Sequence, residues 1–199
     1  MQDSVNAIIL AGGKNTRMEG EDKAFLEIKG RPVIAILVDR LKVLVNEIII
    51  VTADPQKYSN FEVRLTRDEE PDKGPLMGIY SGLKASLSKY NFIVACDMPF
   101  VNSSLIRYFM DCADDYDVVI PKIDDKFHPL FGIYSRGCIP VMQEMLEKDI
   151  LKISDIFPKL KTRFLLRQEL EKFDNGLISL ININTAEDLV KAKEIQEEL

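Results

Sequence analysis

The feature that most restricts this chain is a series of short, continuous apolar runs spaced by longer amphipathic stretches. Residues 7–10 read Ala-Ile-Ile-Leu, 48–51 read Ile-Ile-Ile-Val and 92–95 read Phe-Ile-Val-Ala. A strand with one wet face alternates polar and apolar residues. Strands that do not alternate are buried on both faces, as in a mostly parallel sheet. Strands are expected at Val5–Ala11, Glu47–Ala53, Glu62–Arg67, Phe92–Cys96 and Asp117–Pro121, with others near Pro129–Ser135, Ile178–Ile183 and Arg163–Gln168. Helices are expected over Pro32–Leu44, Leu76–Ser88, Ser103–Cys112, Gly137–Glu147, Lys152–Phe157 and Thr185–Glu198. Pro32 suits a first helical position, and Asn102, Ser103 and Thr185 are N-terminal signals for others. This rhythm predicts an α/β fold of three layers, a mostly parallel sheet with helices on both faces and right-handed crossovers. No repeat or Pro/Gly/Ser linker divides the 199 residues, so a single domain over 1–199 is expected.

Charge narrows the function. The chain carries 26 Lys+Arg against 32 Asp+Glu, a net of −6. Long-range attraction to phosphate is absent, which argues against a nucleic-acid coat or a basic membrane-surface binder. A phosphorylated metabolite remains compatible, held by backbone N–H groups, a few local cations or a metal ion. Three scattered cysteines, Cys96, Cys112 and Cys138, make neither a disulfide framework nor a C-x-x-C zinc pair. Residues 1–6 lack the order of a signal peptide, and no apolar run approaches the ~20 residues that span a bilayer. A cytoplasmic protein is expected.

The most informative stretch follows the first strand: Leu10-Ala11-Gly12-Gly13-Lys14-Asn15-Thr16-Arg17-Met18, then Asp22-Lys23. In open parallel sheets ligands bind beyond the carboxyl ends of strands, where this loop must lie. Glycine lets backbone N–H groups approach phosphate without a Cβ in the way, arginine offers a planar fork and lysine a compact charge. The loop is neither a Walker A motif nor G-x-G-x-x-G, so a P-loop NTPase and a Rossmann dinucleotide site are unsupported. Further on, Asp68 precedes Gly74-Pro75-Leu76-Met77-Gly78-Ile79, by itself a turn and helix start. Phe92–Cys96 runs into Asp97-Met98-Pro99. A lone buried carboxylate is costly, so Asp97 should sit at the strand tip with a cation or donors; it either caps the turn or ligates Mg²⁺, which favours hard oxygens plus substrate phosphates. Strand alternation turns Cys96 away from Asp97, toward the core. His128, in His128-Pro129-Leu130, is the only histidine, with no triad or metal cluster around it. Finally, Asn182-Ile183-Asn184-Thr185-Ala186-Glu187-Asp188 reads as a strand end entering a helix, with Thr185 and Asp188 spaced as a capping box.

Taken in order, these five segments resemble the molybdenum cofactor guanylyltransferases. The likeness runs from residue 8 to about 190. This chain departs from the family in Asn15 for serine, in one extra residue in Arg17–Lys23, and in Ala186 for proline. The resemblance implies the nucleotide-diphospho-sugar-transferase-like, Rossmann-like fold and a nucleotidyltransferase that moves GMP from GTP to a molybdopterin phosphate with Mg²⁺ as cofactor. It implies catalytic roles for Arg17, Lys23 and Asp97, with Asp97 the metal ligand. Nucleotide contacts would come from Leu10, Ala11, Gly12, Gly13, Lys23, Asp68, Gly74, Pro75, Leu76, Gly78 and Asp97. His128, Asn182 and Asn184 would face the acceptor. Expected partners are GTP, a molybdopterin-type acceptor and other proteins of cofactor biosynthesis, with no nucleic acid and no membrane. Two alternatives stay open: the same chemistry on another base or acceptor (CTP with molybdopterin, or a sugar or lactyl phosphate), and a non-catalytic nucleotide-binding module.

Overall fold

The computed structural model describes residues 5–12, 22–70 and 73–198. The strands are β1 Val5–Leu10, β2 Glu27–Ile28, β3 Arg31–Pro32, β4 Ile48–Val51, β5 Arg64–Thr66, β6 Tyr90–Ala95, β7 Val118–Ile123, β8 Lys126–Phe127, β9 Phe131–Ser135 and β10 Thr162–Leu166. The helices are α1 Val33–Leu41, α2 Gly74–Ala85, α3 Ser103–Asp111, α4 Ile139–Glu147, α5 Arg167–Leu170 and α6 Ala186–Glu198. The main sheet has the order β10-β7-β9-β6-β1-β4-β5, with β8 paired to β7; β2 and β3 form a separate hairpin. β1 is parallel to β4 and β6, β4 to β5, and β7 to β10, while β9 runs antiparallel between β6 and β7. The expected three-layer, mostly parallel sheet is therefore present.

The unbroken apolar strands are explained by two-sided burial. Ala7 and Ile9 of β1 pack with Ile34, Leu37 and Leu41 of α1 and with Leu105, Ile106 and Phe109 of α3. Ile8 and Leu10 face the other way, onto Leu76, Ile79 and Leu83 of α2, and join the cluster that holds Met142 and Met145 of α4. Phe92, Phe109 and Phe131 meet edge-on, with centroids 5.0–6.4 Å apart, and tie β6, β9 and α3 together. A third, smaller cluster of Leu26, Ile28, Val33, Ile36, Phe100, Ile183 and Ala192 lies beneath α6.

β9 reverses direction through a tight hairpin. Asp124 and Asp125, between β7 and β8, have φ of 47° and 62°, the two left-handed positions of a type I′ turn. The Lys122–Asp125 and Arg167–Asp124 ion pairs, 2.9 and 2.7 Å, hold this turn. His128 N–H then donates to Pro121 O and Ala95 N–H to Leu130 O, which sets residues 128–130 at the carboxyl ends of β7 and β6.

Two expectations need correction. Ile178–Ile183 is no strand: residues Asn175–Leu180 form 3₁₀ turns, broken by Gly176 at φ 70° and Leu177 at φ 52°. The run is apolar because Ile178 and Ile183 close the small cluster under α6 while Leu180 packs against the α1/α3-side core, and its polar contacts go to Asp174, Phe100 and Asp97 instead of a strand ladder. The expected helix at Lys152–Phe157 is a 3₁₀ segment, Ile153–Lys159, containing Pro158, which cannot donate to an α-helical ladder. The short elements β2, β3, β8 and α5 had no sequence signal.

Gly82 shows how closely α2 lies on the sheet. A Cβ there would fall 2.5 Å from Ile8 Cγ2 and 3.1 Å from Val51 Cγ2. Glycine-to-alanine inside a helix ordinarily gains up to ~1 kcal/mol. At this site overpacking reverses the sign, and Gly82→Ala should lower the urea-unfolding free energy by about 1–3 kcal/mol.

Candidate active site

The carboxyl ends of β1 and β6 lie side by side, with Leu10 in register with Ala95. Cys96 N–H donates to Leu10 O and Ala11 N–H to Val51 O, so the chain leaves both strands still paired. Asp97 comes one residue beyond Cys96. The Cys96 side chain packs partly into the α1/α3-side core, and its thiol is pushed well above the ordinary range by burial and, secondarily, by Asp97.

Three distant segments meet at Asp97. Its Oδ1 accepts from Asn182 Nδ2 at 2.9 Å and its Oδ2 faces Lys23 Nζ at 3.7 Å. Lys23 Nζ also donates to Asn184 Oδ1, at 2.5 Å. The Asp97 backbone carbonyl accepts from Ile183 N–H at 2.9 Å, fixing residues 182–184 against the strand end. The Asp97 and Lys23 side chains are only 13% and 19% exposed. Burial raises the Asp97 pKa, against the opposing pull of Lys23 and Asn182. A second cation would favour the ionised form. Among the described residues no three His, Cys, Asp or Glu side chains cluster for a metal. One carboxylate with an amide beside it fits a hard cation that takes its other oxygens from substrate phosphates and water.

Lys23 is held from its own side as well. Asp22 caps the 3₁₀ turn Lys23–Phe25, its Oδ1 accepting from Ala24 N–H, while its Oδ2 receives Lys57 Nζ at 3.0 Å. Lys57 is a residue the sequence did not single out. It lies 35 positions away, and no spacing rule joins the two.

The second group of candidates gathers on Asp68. A Cβ placed on Gly12 would sit 3.4 Å from Asp68 Oδ2, and one on Gly78 would sit 3.6 Å from Asp68 Oδ1 and 3.3 Å from Leu10 Cδ2. Leu10, Gly12, Asp68 and Gly78 thus converge on one spot. Asp68 Oδ1 is buried with no hydrogen-bond partner among the described residues, and burial raises its pKa. Gly74 opens α2 at φ 72°, a left-handed conformation that glycine adopts freely, and Pro75 and Leu76 follow it in the first turn. Asp68, just past β5, and Gly78 in α2 thus both lie at the end of β1.

His128 lies on the same sheet edge, in the turn from β8 to β9, half-buried. Burial, and secondarily Lys126, lowers its pKa, which leaves the imidazole neutral at pH 7. Gly13 and Arg17 lie outside the described residues. Asn182 and Asn184, expected at the acceptor, turn their amides to Asp97 and Lys23.

Comparison with known proteins gives this arrangement a family. A family model described as "MobA-like NTP transferase domain" matches residues 7–162. The chain is 36% identical to a probable molybdenum cofactor guanylyltransferase of Natranaerobius thermophilus, over 97% of each chain. It is 35% identical to the molybdenum cofactor guanylyltransferase of Desulfosudis oleivorans, over 96% of this chain and 95% of that one. Molybdopterin-guanine dinucleotide biosynthesis protein A from Archaeoglobus fulgidus has a crystal structure that superposes with a TM-score of 0.85 at 26% identity, over 98% of this chain and 100% of the other. With matches of this length, the chain belongs to the molybdenum cofactor guanylyltransferases of the MobA-like NTP transferase family, and it is a nucleotidyltransferase.

Proposed function

We propose that the protein transfers GMP from GTP to the terminal phosphate of a molybdopterin-type acceptor, with Mg²⁺, releasing pyrophosphate. The observation that carries this reading is the convergence of Lys23, Asp97, Asn182 and Asn184 at the end of β6, beside the Asp68 group at the end of β1. An oxygen of the acceptor phosphate attacks the α-phosphorus of GTP as the bond to the bridging oxygen of pyrophosphate breaks in line. The acceptor monoester is mostly ionised at pH 7, its second pKa being about 6, so no base must take a proton from it. Catalysis is then positioning and charge stabilisation.

Asp97 would hold the Mg²⁺, whose charge offsets that of the phosphates brought together. Lys23 neutralises the triphosphate and the departing pyrophosphate, joined by Arg17. Gly12 and Gly13 present backbone donors to phosphate. Asp68, with Gly74, Pro75, Leu76 and Gly78, holds the guanosine; a buried carboxylate oxygen with no partner among the described residues suits the N–H donors of a guanine or the hydroxyls of a ribose. His128, neutral, faces the acceptor. The base, the acceptor and the metal rest on the family likeness together with this geometry. The same reading makes other proteins of cofactor biosynthesis the partners that supply the acceptor. Among the described residues no helix is long and apolar enough to cross a membrane.

Calorimetric titration with GTP, CTP, ATP and UTP in Mg²⁺ tests the base: GTP alone should bind, and a preference for CTP would overturn the choice of substrate. Asp97→Asn should cost about 10²–10³ in transfer rate, the usual loss when one preorganised electrostatic contact is removed. An Asp97→Asn enzyme with undiminished, Mg²⁺-dependent turnover would remove the metal role.

Asp68→Asn should weaken GTP binding and stabilise the free protein at pH 7. Because burial raises the Asp68 pKa, the folded state binds the proton more tightly than the unfolded chain does. Wild-type stability therefore falls as pH rises from the unfolded carboxylate value of about 3.9 through the raised folded value, and stays lower above it. The advantage of the variant should shrink as pH is lowered toward 4. Urea unfolding across that range checks it, and an advantage independent of pH would contradict the assignment.

A further inference from the structure

The first turn of α6 does more than end a loop. Thr185 Oγ1 accepts from Asp188 N–H at 3.1 Å, the ordinary half of a capping box. In the reciprocal half a carboxylate reaches back to the N–H of the capping residue, and Asp188 Oδ2 does so at 2.9 Å. The same oxygen also takes the N–H of Asn184, one residue earlier, at 3.0 Å. These bonds, that of Asn184 foremost, hold the Asp188 pKa below the usual carboxylate range, so the group is ionised at neutral pH. Asn184 is the residue whose amide oxygen receives the Lys23 ammonium. On its other side, Ile183 is pinned to the Asp97 carbonyl and buried in the cluster that carries Ala192 of α6.

A cap needs only the N–H of Thr185. The additional bond to Asn184 fixes the backbone of a residue that touches an active-site cation 161 positions away in sequence. We propose that Asp188 is a positioning residue: it sets the Asn184 backbone so that the Asn184 amide holds the Lys23 ammonium at the phosphate site. This rests on the role given to Lys23 above. Without the carboxylate, residue 184 keeps its side chain but loses the bond that orients it, and Lys23 can swing toward Asp97 or solvent. A misplacement of about 1 Å in such a site can cost ~10²-fold in rate.

The structural and positioning roles of Asp188 separate experimentally. Thr185→Ala removes the capping hydroxyl but leaves both bonds to Asp188 Oδ2, so it should lower thermal stability while leaving the kinetics of GTP consumption alone. Asp188→Ala should lower kcat/KM about 10- to 100-fold. Asp188→Asn, whose amide oxygen can still accept both N–H groups, should restore most of that loss. Asn184→Ala combined with Asp188→Ala should be no worse than Asn184→Ala alone, because the carboxylate acts through that amide. A readout independent of turnover is the Lys23 resonance of ¹³C-methylated protein, which should move in Asp188→Ala and stay in Thr185→Ala. Equal kinetic losses in Thr185→Ala and Asp188→Ala, or a Lys23 resonance unmoved in Asp188→Ala, would overturn the proposal. A wild-type protein that consumes no GTP would overturn the transfer reading and the kinetic claim with it, while the Lys23 resonance would still decide whether Asp188 places that lysine.

Discussion

The site depends on a carboxylate at the tip of a strand buried on both faces. Taking a charge out of water costs several kcal/mol unless cations and donors replace the water. At Asp97 the replacements come from residue 23, after the glycine loop, and from residues 182 and 183, near the end of the chain. Satisfying one charge therefore requires the chain to return past the end of β6 after the sheet is complete. The small cluster beneath α6 gives that return an apolar anchor, and the β2–β3 hairpin packs into the same cluster. Compensation is incomplete, since burial still raises the Asp97 pKa. A carboxylate with unmet electrostatic need, at the mouth of a parallel sheet, suits a substrate that brings a divalent cation with its phosphates.

Asp68 repeats the pattern in smaller form. Its carboxylate lies against the backbone at Gly12 and Gly78, and one oxygen is buried with no hydrogen-bond partner among the described residues. The two carboxylates divide the site into a half suited to donors and a half suited to phosphate and metal. With a net charge of −6 the protein has no long-range pull on an anionic nucleotide. On the proposed reading, recognition rests on short-range fixed groups, among them Lys23, which Asn184 and Asp97 hold in place.

The layered fold was legible because uniformly apolar runs such as Ile48–Val51 recur between longer amphipathic stretches, the rhythm of strands buried on both faces. Ile178–Ile183 carries the same signal and is not a strand, since a short apolar run says only that it is buried and not what it is buried against. The antiparallel β9 was also hidden: Phe131–Ser135 is as buried as its parallel neighbours, and only the two left-handed aspartates reverse its direction. Within the site, Asp97 was readable from the cost of leaving a charge at a strand tip. Lys23 was readable as a cation in the loop after β1 but not as a partner of Asp97, and Asn182 only through the ordered likeness to a family, because contacts 74 and 85 positions apart leave no periodicity. Lys57 had neither signal. Asp188 was recognised as a cap, but its second bond to Asn184 depends on backbone geometry that spacing does not encode.

The most direct test of the account is to follow the label. Purified protein is incubated with Mg²⁺, molybdopterin and GTP carrying ³²P at the α-phosphate, with unlabelled CTP and ATP competing. The account predicts that the label enters a dinucleotide containing guanine and the pterin, in step with one pyrophosphate released per label transferred. Label remaining in GTP while the competing CTP is consumed, or pyrophosphate released as the label ends in free GMP, would contradict it.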